Sequence, residues 1–162
     1  MHSRGETIEC KHCGVSYRLT EEGRLEAQNA EAKFTHVPDW YRWQRETVRA
    51  QLERGEYRLD LAVDICILRG TERLYRVGSG RLLHTTDGFH LTGCDGALDY
   101  RQSPVASYSL YADYFWYEIG DVICIGDNGT LYYCFPQGGG DVVAKARLAT
   151  EELYKLQKQK LV

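Results

Sequence analysis

The chain is 162 residues long, room for one compact domain or a small module joined to one. Its 43% hydrophobic and 27% charged residues are the mix of a globular protein. Twenty Lys and Arg stand against 23 Asp and Glu, for a net charge of −3, which excludes the broadly basic surface that general nucleic-acid binding needs. No apolar run approaches a membrane span and no signal-peptide pattern opens the chain, so no transmembrane segment is expected.

Taken in order, the first informative stretch is Cys10-Lys11-His12-Cys13-Gly14. Two thiols three residues apart, followed by glycine, can turn both sulfurs toward one ion as a zinc knuckle. Thr7 to Cys10 reads as the strand entering it, Val15 to Leu19 as the strand leaving it, and Arg24 to Ala27 as the return after Glu22-Gly23. A structural zinc is normally four-coordinate, and no second C-x-x-C exists in the chain. Cys10 and Cys13 are therefore expected to be half a zinc site within a partial ribbon, residues 1–33, whose other knuckle would precede Met1. His12, between the two thiols, is expected to point away from an ion they share; His36 could be a third ligand but lies far along the chain, beside a helix start.

Residues 34–56 follow as a linking amphipathic helix. Pro38 and Asp39 mark its start and Gly55 its stop. Trp40, Trp43, Val48 and Leu52 share one face; Arg42, Arg45, Glu46, Arg49 and Glu53 take the other. The two tryptophans are expected to pack onto a sheet.

Residues 57–162 read as a β domain. From Tyr57 to Leu68, Tyr57, Leu59, Leu61, Val63, Ile65 and Ile67 alternate with Arg58, Asp60, Ala62, Asp64 and Cys66, predicting one buried and one wet face. Further strands are expected at Arg73 to Val77, Arg81 to Thr86 (after a Gly78-Ser79-Gly80 turn), Phe89 to Leu91, Ala97 to Gln102, Val105 to Leu110, Tyr114 to Ile119, Asp121 to Gly126 and Thr130 to Phe135. Beyond Gly138-Gly139-Gly140, a helix from Asp141 to Lys158 carries an apolar stripe of Val142, Ala146, Ala149, Leu153 and Leu156. The expected fold is mainly β with two helices: an N-terminal half zinc ribbon, then an antiparallel β-sandwich or open barrel of about eight strands with a C-terminal helix. The order of elements is that of pleckstrin-homology and GRAM domains.

Candidate chemistry is thin. His90 and Asp95 have the H-x4-D spacing of glycerolipid acyltransferases, where a base is oriented by a carboxylate, but no substrate-phosphate motif follows and chance accounts for the spacing. Cys66, Cys94, Cys124 and Cys134 have no catalytic setting and read as reduced structural thiols, as in a cytoplasmic protein. Gly78-Ser79-Gly80 and Gly138-Gly139-Gly140 lack the context of a phosphate loop, and Asp127-Asn128-Gly129 is too short for a calcium loop. The aromatic band Tyr108, Tyr111, Tyr114, Phe115, Trp116 and Tyr117 lacks the interleaved Lys and Arg of a nucleic-acid stacking surface, and core or cross-strand packing is expected for it.

C-x-x-C-G, Glu-Glu-Gly-Arg-Leu, Phe-Thr-His-Val-Pro-Asp-Trp-Tyr-x-Trp, Gly-Ser-Gly-Arg-Leu-Leu-His and Leu-Ala-Thr-Glu-Glu-Leu-Tyr occur in that order along essentially the whole chain. Together they resemble the C-terminal region of some bacterial lysophospholipid acyltransferases of the lysophosphatidate type, in which a catalytic domain is followed by a zinc ribbon and a β-rich tail. The resemblance implies that the catalytic H-x4-D lies in an upstream domain, so only Cys10 and Cys13 carry over, as part of the ribbon's metal set. It implies a non-catalytic accessory region, cytoplasmic or peripheral at the inner membrane face, whose partner is the upstream acyltransferase domain or a membrane lipid surface. The alternative is a free-standing module of pleckstrin-homology type that binds a lipid headgroup or peptide.

Overall fold

A computed structural model describes residues 2–10, 13–69, 73–138 and 142–160. The chain divides into two compact units, Met1–Thr47 and Val48–Val162.

The first unit is an antiparallel sheet of β1 (His2–Arg4), β2 (Thr7–Glu9), β3 (Ser16–Leu19) and β4 (Leu25–Ala27), in sequential order. The strand β1 was not expected; it is three residues long and too short to show an alternation. At the knuckle the Cys10 amide donates to the Val15 carbonyl (2.9 Å), and the Gly14 amide donates to the Cys10 carbonyl (2.8 Å). Gly14 holds φ +71, which only glycine adopts cheaply, so the turn closes as the C-G pair foretold. Asn29 braces it: its side chain accepts from the Ser16 amide and donates to the Gly14 carbonyl. Tyr17, Leu25 and Trp40 form the small core, with Phe34 stacked on Trp40. Trp40 belongs to α1 (Val37–Glu53). Trp43 is half-exposed rather than packed on a sheet, and Lys33 lies over its ring.

The second unit holds β5 (Leu59–Arg69), β6 (Arg73–Thr85), β7 (Gly88–Gly93), β8 (Leu98–Gln102), β9 (Tyr111–Trp116), β10 (Gly120–Gly126), β11 (Leu131–Pro136) and α2 (Val142–Gln159). These seven strands, rather than eight, form one antiparallel sheet in the order β8-β7-β6-β5-β11-β10-β9. The protein is thus mainly β, antiparallel, with two helices and a helix closing the C-terminal domain. Val63, Ile65, Leu82, Leu91, Ile123, Ile125 and Cys134 line the inner face, and Val143, Ala146, Ala149 and Leu153 of α2 fill it. Val48 and Leu52 belong to this core as well. The buried face of α2 is wider than the expected stripe and takes in Leu148, Thr150 and Glu152. At the rim, the Gly126 amide donates to Gln102 Oε1 at 2.9 Å, tying β8 to β10 although six strands of the order lie from one to the other.

Two expected boundaries are corrected. Gly78-Ser79-Gly80 is no turn: β6 runs straight through it, with a bulge opposite Ile65 and Cys66. The glycines serve close approach instead, since a Cβ on Gly80 would stand 2.1 Å from the Thr92 carbonyl oxygen and one on Gly78 2.8 Å from Cys94 Sγ. Val105 to Leu110 is not a strand. Pro104 sets a turn closed by the Ala106 amide on the Ser103 carbonyl, and the Ser107 hydroxyl donates to the Ser109 carbonyl, so local bonds take the place of a ladder. The strand then starts at Tyr111 and ends before Ile119.

Candidate functional site: an aromatic, acidic sheet edge

The sites expected from sequence do not assemble into a catalytic centre among the described residues. Cys10 is half-buried and Cys13 exposed. Lys11 and His12 between them lie outside the described residues. No group of three or more His, Cys, Asp or Glu side chains placed to share a metal occurs among the described residues. His36 is engaged locally, its Nδ1 3.1 Å from Thr35 Oγ1 and 3.7 Å from Asp39.

His90 does not take Asp95 as its partner. Its Nε2 is 2.8 Å from Asp99 Oδ1 on the neighbouring strand β8, while Asp95 sits in an exposed turn at φ +54. His90 and Arg101 border a hollow of about 360 Å³ that also reaches Thr85, Asp87 and Ser103. Asp127 accepts from the Gly129 and Thr130 amides and simply closes the β10–β11 turn. Cys66, Cys124 and Cys134 are buried, as structural thiols should be; burial pushes the Cys124 thiol up to about 12 and Cys134 higher still, away from thiolate chemistry.

The outer face of β5 is not uniformly wet. Cys66, Val122, Cys124, Tyr133 and Phe135 form a second buried cluster there. The register explains it: Cys66 pairs with Tyr133, Tyr133 with Cys124 and Cys124 with Tyr111, so β5, β11, β10 and β9 present one continuous row. Trp116 packs against this row, its ring 5.0 Å from Tyr133 and 6.0 Å from Phe135. Its Nε1 donates to the Tyr111 hydroxyl at 3.1 Å, and Tyr117 stands edge-on to it at 4.7 Å.

Around that anchor the expectation of buried packing fails. Tyr108, Tyr111, Tyr114, Phe115 and Tyr117 are between 50% and 81% exposed, and Ile119 is exposed beside them. β9 is an edge strand, paired among the described residues only with β10. A bulge interrupts that pairing between Gly120 and Val122, and there the Phe115 amide donates to Asp121 Oδ1 (3.1 Å) and the Tyr114 amide to Asp113 Oδ1 (2.8 Å). Phe115, Tyr117 and Glu118 all hold φ near +50 to +60. Bulky residues seldom occupy this left-handed region, which costs about 1–2 kcal/mol each. The Tyr114 hydroxyl accepts from the Ala144 amide in the first turn of α2, fixing the strand's inner side.

Charge is segregated along the chain. From residue 102 to 144 there is no Lys or Arg at all, and Asp113, Glu118, Asp121 and Asp127 fall in the same stretch. Three arginines in or next to β5 and β6 are engaged by neighbours: Arg81 and Arg58 bond Asp60, and Arg76 bonds Asp64. Arg81, with Arg58, holds the Asp60 carboxyl down at about 2. The aromatic edge thus combines large rings, a strained turn and carboxylates in a run without Lys or Arg. The sequence signal for it was the basic-free run rather than the aromatic periodicity.

Comparison of the chain with family models, with curated proteins and with solved structures finds no match. No helix among the described residues is long and apolar enough to cross a membrane.

Proposed function

We propose that this chain is a non-catalytic docking module whose β domain engages a partner protein through the edge formed by β9 and the β9–β10 turn. The observation that carries this reading is the exposed aromatic set at that edge, anchored on Trp116. Isolated surface hydrophobics are ordinary, whereas a contiguous patch of Tyr, Phe and Ile on a fixed backbone is what interfaces use. The local bonds of His90 to Asp99, in place of Asp95, favour a role other than acyl transfer for this pair. The resemblance to the tail of lysophospholipid acyltransferases suggests the setting: a catalytic acyltransferase domain beside which the module docks or orients, in the cytoplasm. Asp113, Glu118 and Asp121 weigh against an anionic lipid face as the ligand of this edge. Cys10 and Cys13 fit zinc in donor chemistry and spacing, and would hold it with donors from elsewhere.

The test is a photo-crosslinking residue at Tyr117 in the full chain, expressed in a bacterial host. The reading expects adducts with one defined polypeptide, identified by mass spectrometry, whose purified form binds the chain at least about tenfold more weakly once Phe115→Ala and Tyr117→Ala are introduced. Crosslinks to lipid only, or purified binding indifferent to those changes, would remove it.

A further inference from the structure

The chemistry of the occupant can be taken one step further, on the docking reading just given. We infer that the aromatic edge of β9 receives a cationic segment of a partner protein, a stretch carrying Arg or Lys, and neither an anionic membrane nor a second copy of this chain.

Several rings elsewhere in the chain lie beneath its own cations. Lys33 lies 4.2 Å from the Trp43 ring centre, Arg45 5.3 Å from Tyr41, and Lys145 and Lys158 each 5.6 Å from Tyr57 and Tyr154. Among the described residues, no Lys or Arg stands over Tyr111, Phe115 or Tyr117, and residues 102–144 contain neither. These ring faces carry the negative side of the aromatic quadrupole toward solvent, which is the side a guanidinium or ammonium seeks.

Acid is placed among the rings. Asp113 lies between Tyr111 and Tyr114 in sequence, Glu118 follows Tyr117, and Asp121 accepts from the Phe115 amide. A guanidinium lying on Phe115 or Tyr117 meets a carboxylate within the same turn, so cation–π contact and ion pairing act together. The exposed strand edge, with the groups that β10 leaves unpaired, offers an extended chain main-chain partners as well.

The other occupants meet the same charges with the wrong sign. Lowering Phe115, Tyr117 and Ile119 into an anionic leaflet would press Asp113, Glu118 and Asp121 against phosphate. A symmetric contact between two copies would set this acidic patch against itself.

The experiment uses the full chain and fluorescein-labelled octa-arginine as the probe, read by anisotropy, with phosphatidylserine vesicles as a second titrant. We expect saturable binding of octa-arginine that weakens as salt rises. We expect Glu118→Lys to weaken it about tenfold and Phe115→Ala or Tyr117→Ala about fivefold each, with no change for Glu21→Lys, which alters net charge equally on the four-stranded sheet. The side chains changed are exposed, and unchanged thermal melting confirms that each variant folds; if an aromatic variant does not fold, Glu118→Lys decides alone. Equal weakening by Glu21→Lys and Glu118→Lys would reduce the effect to overall charge and overturn the inference. So would affinity indifferent to Phe115 and Tyr117, or tight binding of the vesicles through these residues. A partner that crosslinks at Tyr117 through a segment without Lys or Arg would overturn the cationic assignment and leave the docking reading standing.

Discussion

Arg49 on α1 reaches the carboxylate of Glu152 on α2, Nη1 to Oε2 at 3.3 Å, and Glu152 is only 3% exposed at its side chain while Arg49 is 37% exposed. Lys155 meets the other oxygen at 2.7 Å. A buried carboxylate with its cations removed keeps its desolvation cost and loses the compensation. Arg49→Ala alone should cost about 1 kcal/mol, since Lys155 remains. Arg49→Ala with Lys155→Ala should cost about 3 kcal/mol or more, beyond the sum of the single changes. Urea unfolding of the two single variants and the double variant measures the difference. An additive result would show that the two cations act on Glu152 independently.

A second buried polar pair gives a pH dependence. His84 is 1% exposed, stacked on Phe89 at 3.7 Å, with its Nδ1 3.0 Å from the Tyr57 hydroxyl. Burial holds its imidazole down at about 3, against about 6.5 when unfolded. The unfolded chain therefore takes up a proton that the folded one refuses. His84 contributes its full stability above pH 6.5, and that contribution is lost as pH falls from about 6.5 toward 3, at about 1.4 kcal/mol per pH unit. Asp60, held at about 2 by Arg81, and Glu22 and Glu56, whose hydrogen bonds hold them below the usual value, lose their contributions only as pH nears the ordinary carboxylate range, so the loss at the upper end of the window from pH 6 to 4.5 belongs to His84. His84→Gln, which keeps an acceptor for Tyr57, should be less stable at pH 7 and flatter through that window. Denaturant midpoints at pH 7, 6, 5 and 4.5 provide the comparison, and a wild-type slope that the substitution leaves unchanged would exclude His84 as its source.

Gly80 faces Gly93 across β6 and β7. The Thr92 carbonyl oxygen and the Gly93 Cα would stand 2.1 and 2.9 Å from an added Cβ on Gly80. Both are backbone atoms, so the strands themselves would have to part. Gly80→Ala should cost upward of about 3 kcal/mol. Gly96→Ala, at φ +87 with nothing within 4 Å, should cost only about 1 kcal/mol from backbone strain. Thermal melts of the two variants rank these costs, and similar melting temperatures would deny the close approach.

This pair of glycines also shows where the sequence was legible and where it was not. The alternation from Tyr57 to Leu68 and the α2 stripe from Val142 to Leu156 were readable because each residue's face is set by backbone period alone. Gly78-Ser79-Gly80 was misread because a glycine kept for cross-strand clearance looks locally like a glycine kept for a turn. Cys66, on the polar side of β5, is buried because Tyr133 and Trp116 come from strands distant in sequence. Trp116 likewise covers the outer face only because the bulge in β9 re-aims it, and no periodicity within residues 111–116 contains that bulge. Glu152 lies outside the expected stripe of α2, and its partner Arg49 is more than a hundred residues away.

The knuckle carries a metal prediction. Two thiolates alone leave half of a tetrahedral ion's positions to other donors. Purified chain should hold less than one tightly bound zinc per molecule, removable by a mild chelator, and Cys10→Ser with Cys13→Ser should abolish what remains. Metal analysis by inductively coupled plasma spectrometry decides. One zinc per chain that resists the chelator would mean that donors from within this sequence complete the set.

The left-handed backbone at Phe115, Tyr117 and Glu118 makes the docking edge a place where stability and binding should trade against each other. Glycine adopts these angles without steric cost, so Glu118→Gly and Tyr117→Gly should each leave stability unchanged or raise it, by about 0.5–1 kcal/mol once the greater freedom of the unfolded chain is subtracted. A residue retained only for folding would not be held in a conformation that glycine occupies better. Tyr117→Gly should nonetheless lose affinity for octa-arginine, because the ring is gone, and Glu118→Gly should lose it through the missing carboxylate. Chemical denaturation and anisotropy on the same samples separate the two effects. If Tyr117→Gly and Glu118→Gly both destabilise by more than about 1 kcal/mol, the turn conformation belongs to the fold rather than to the interface.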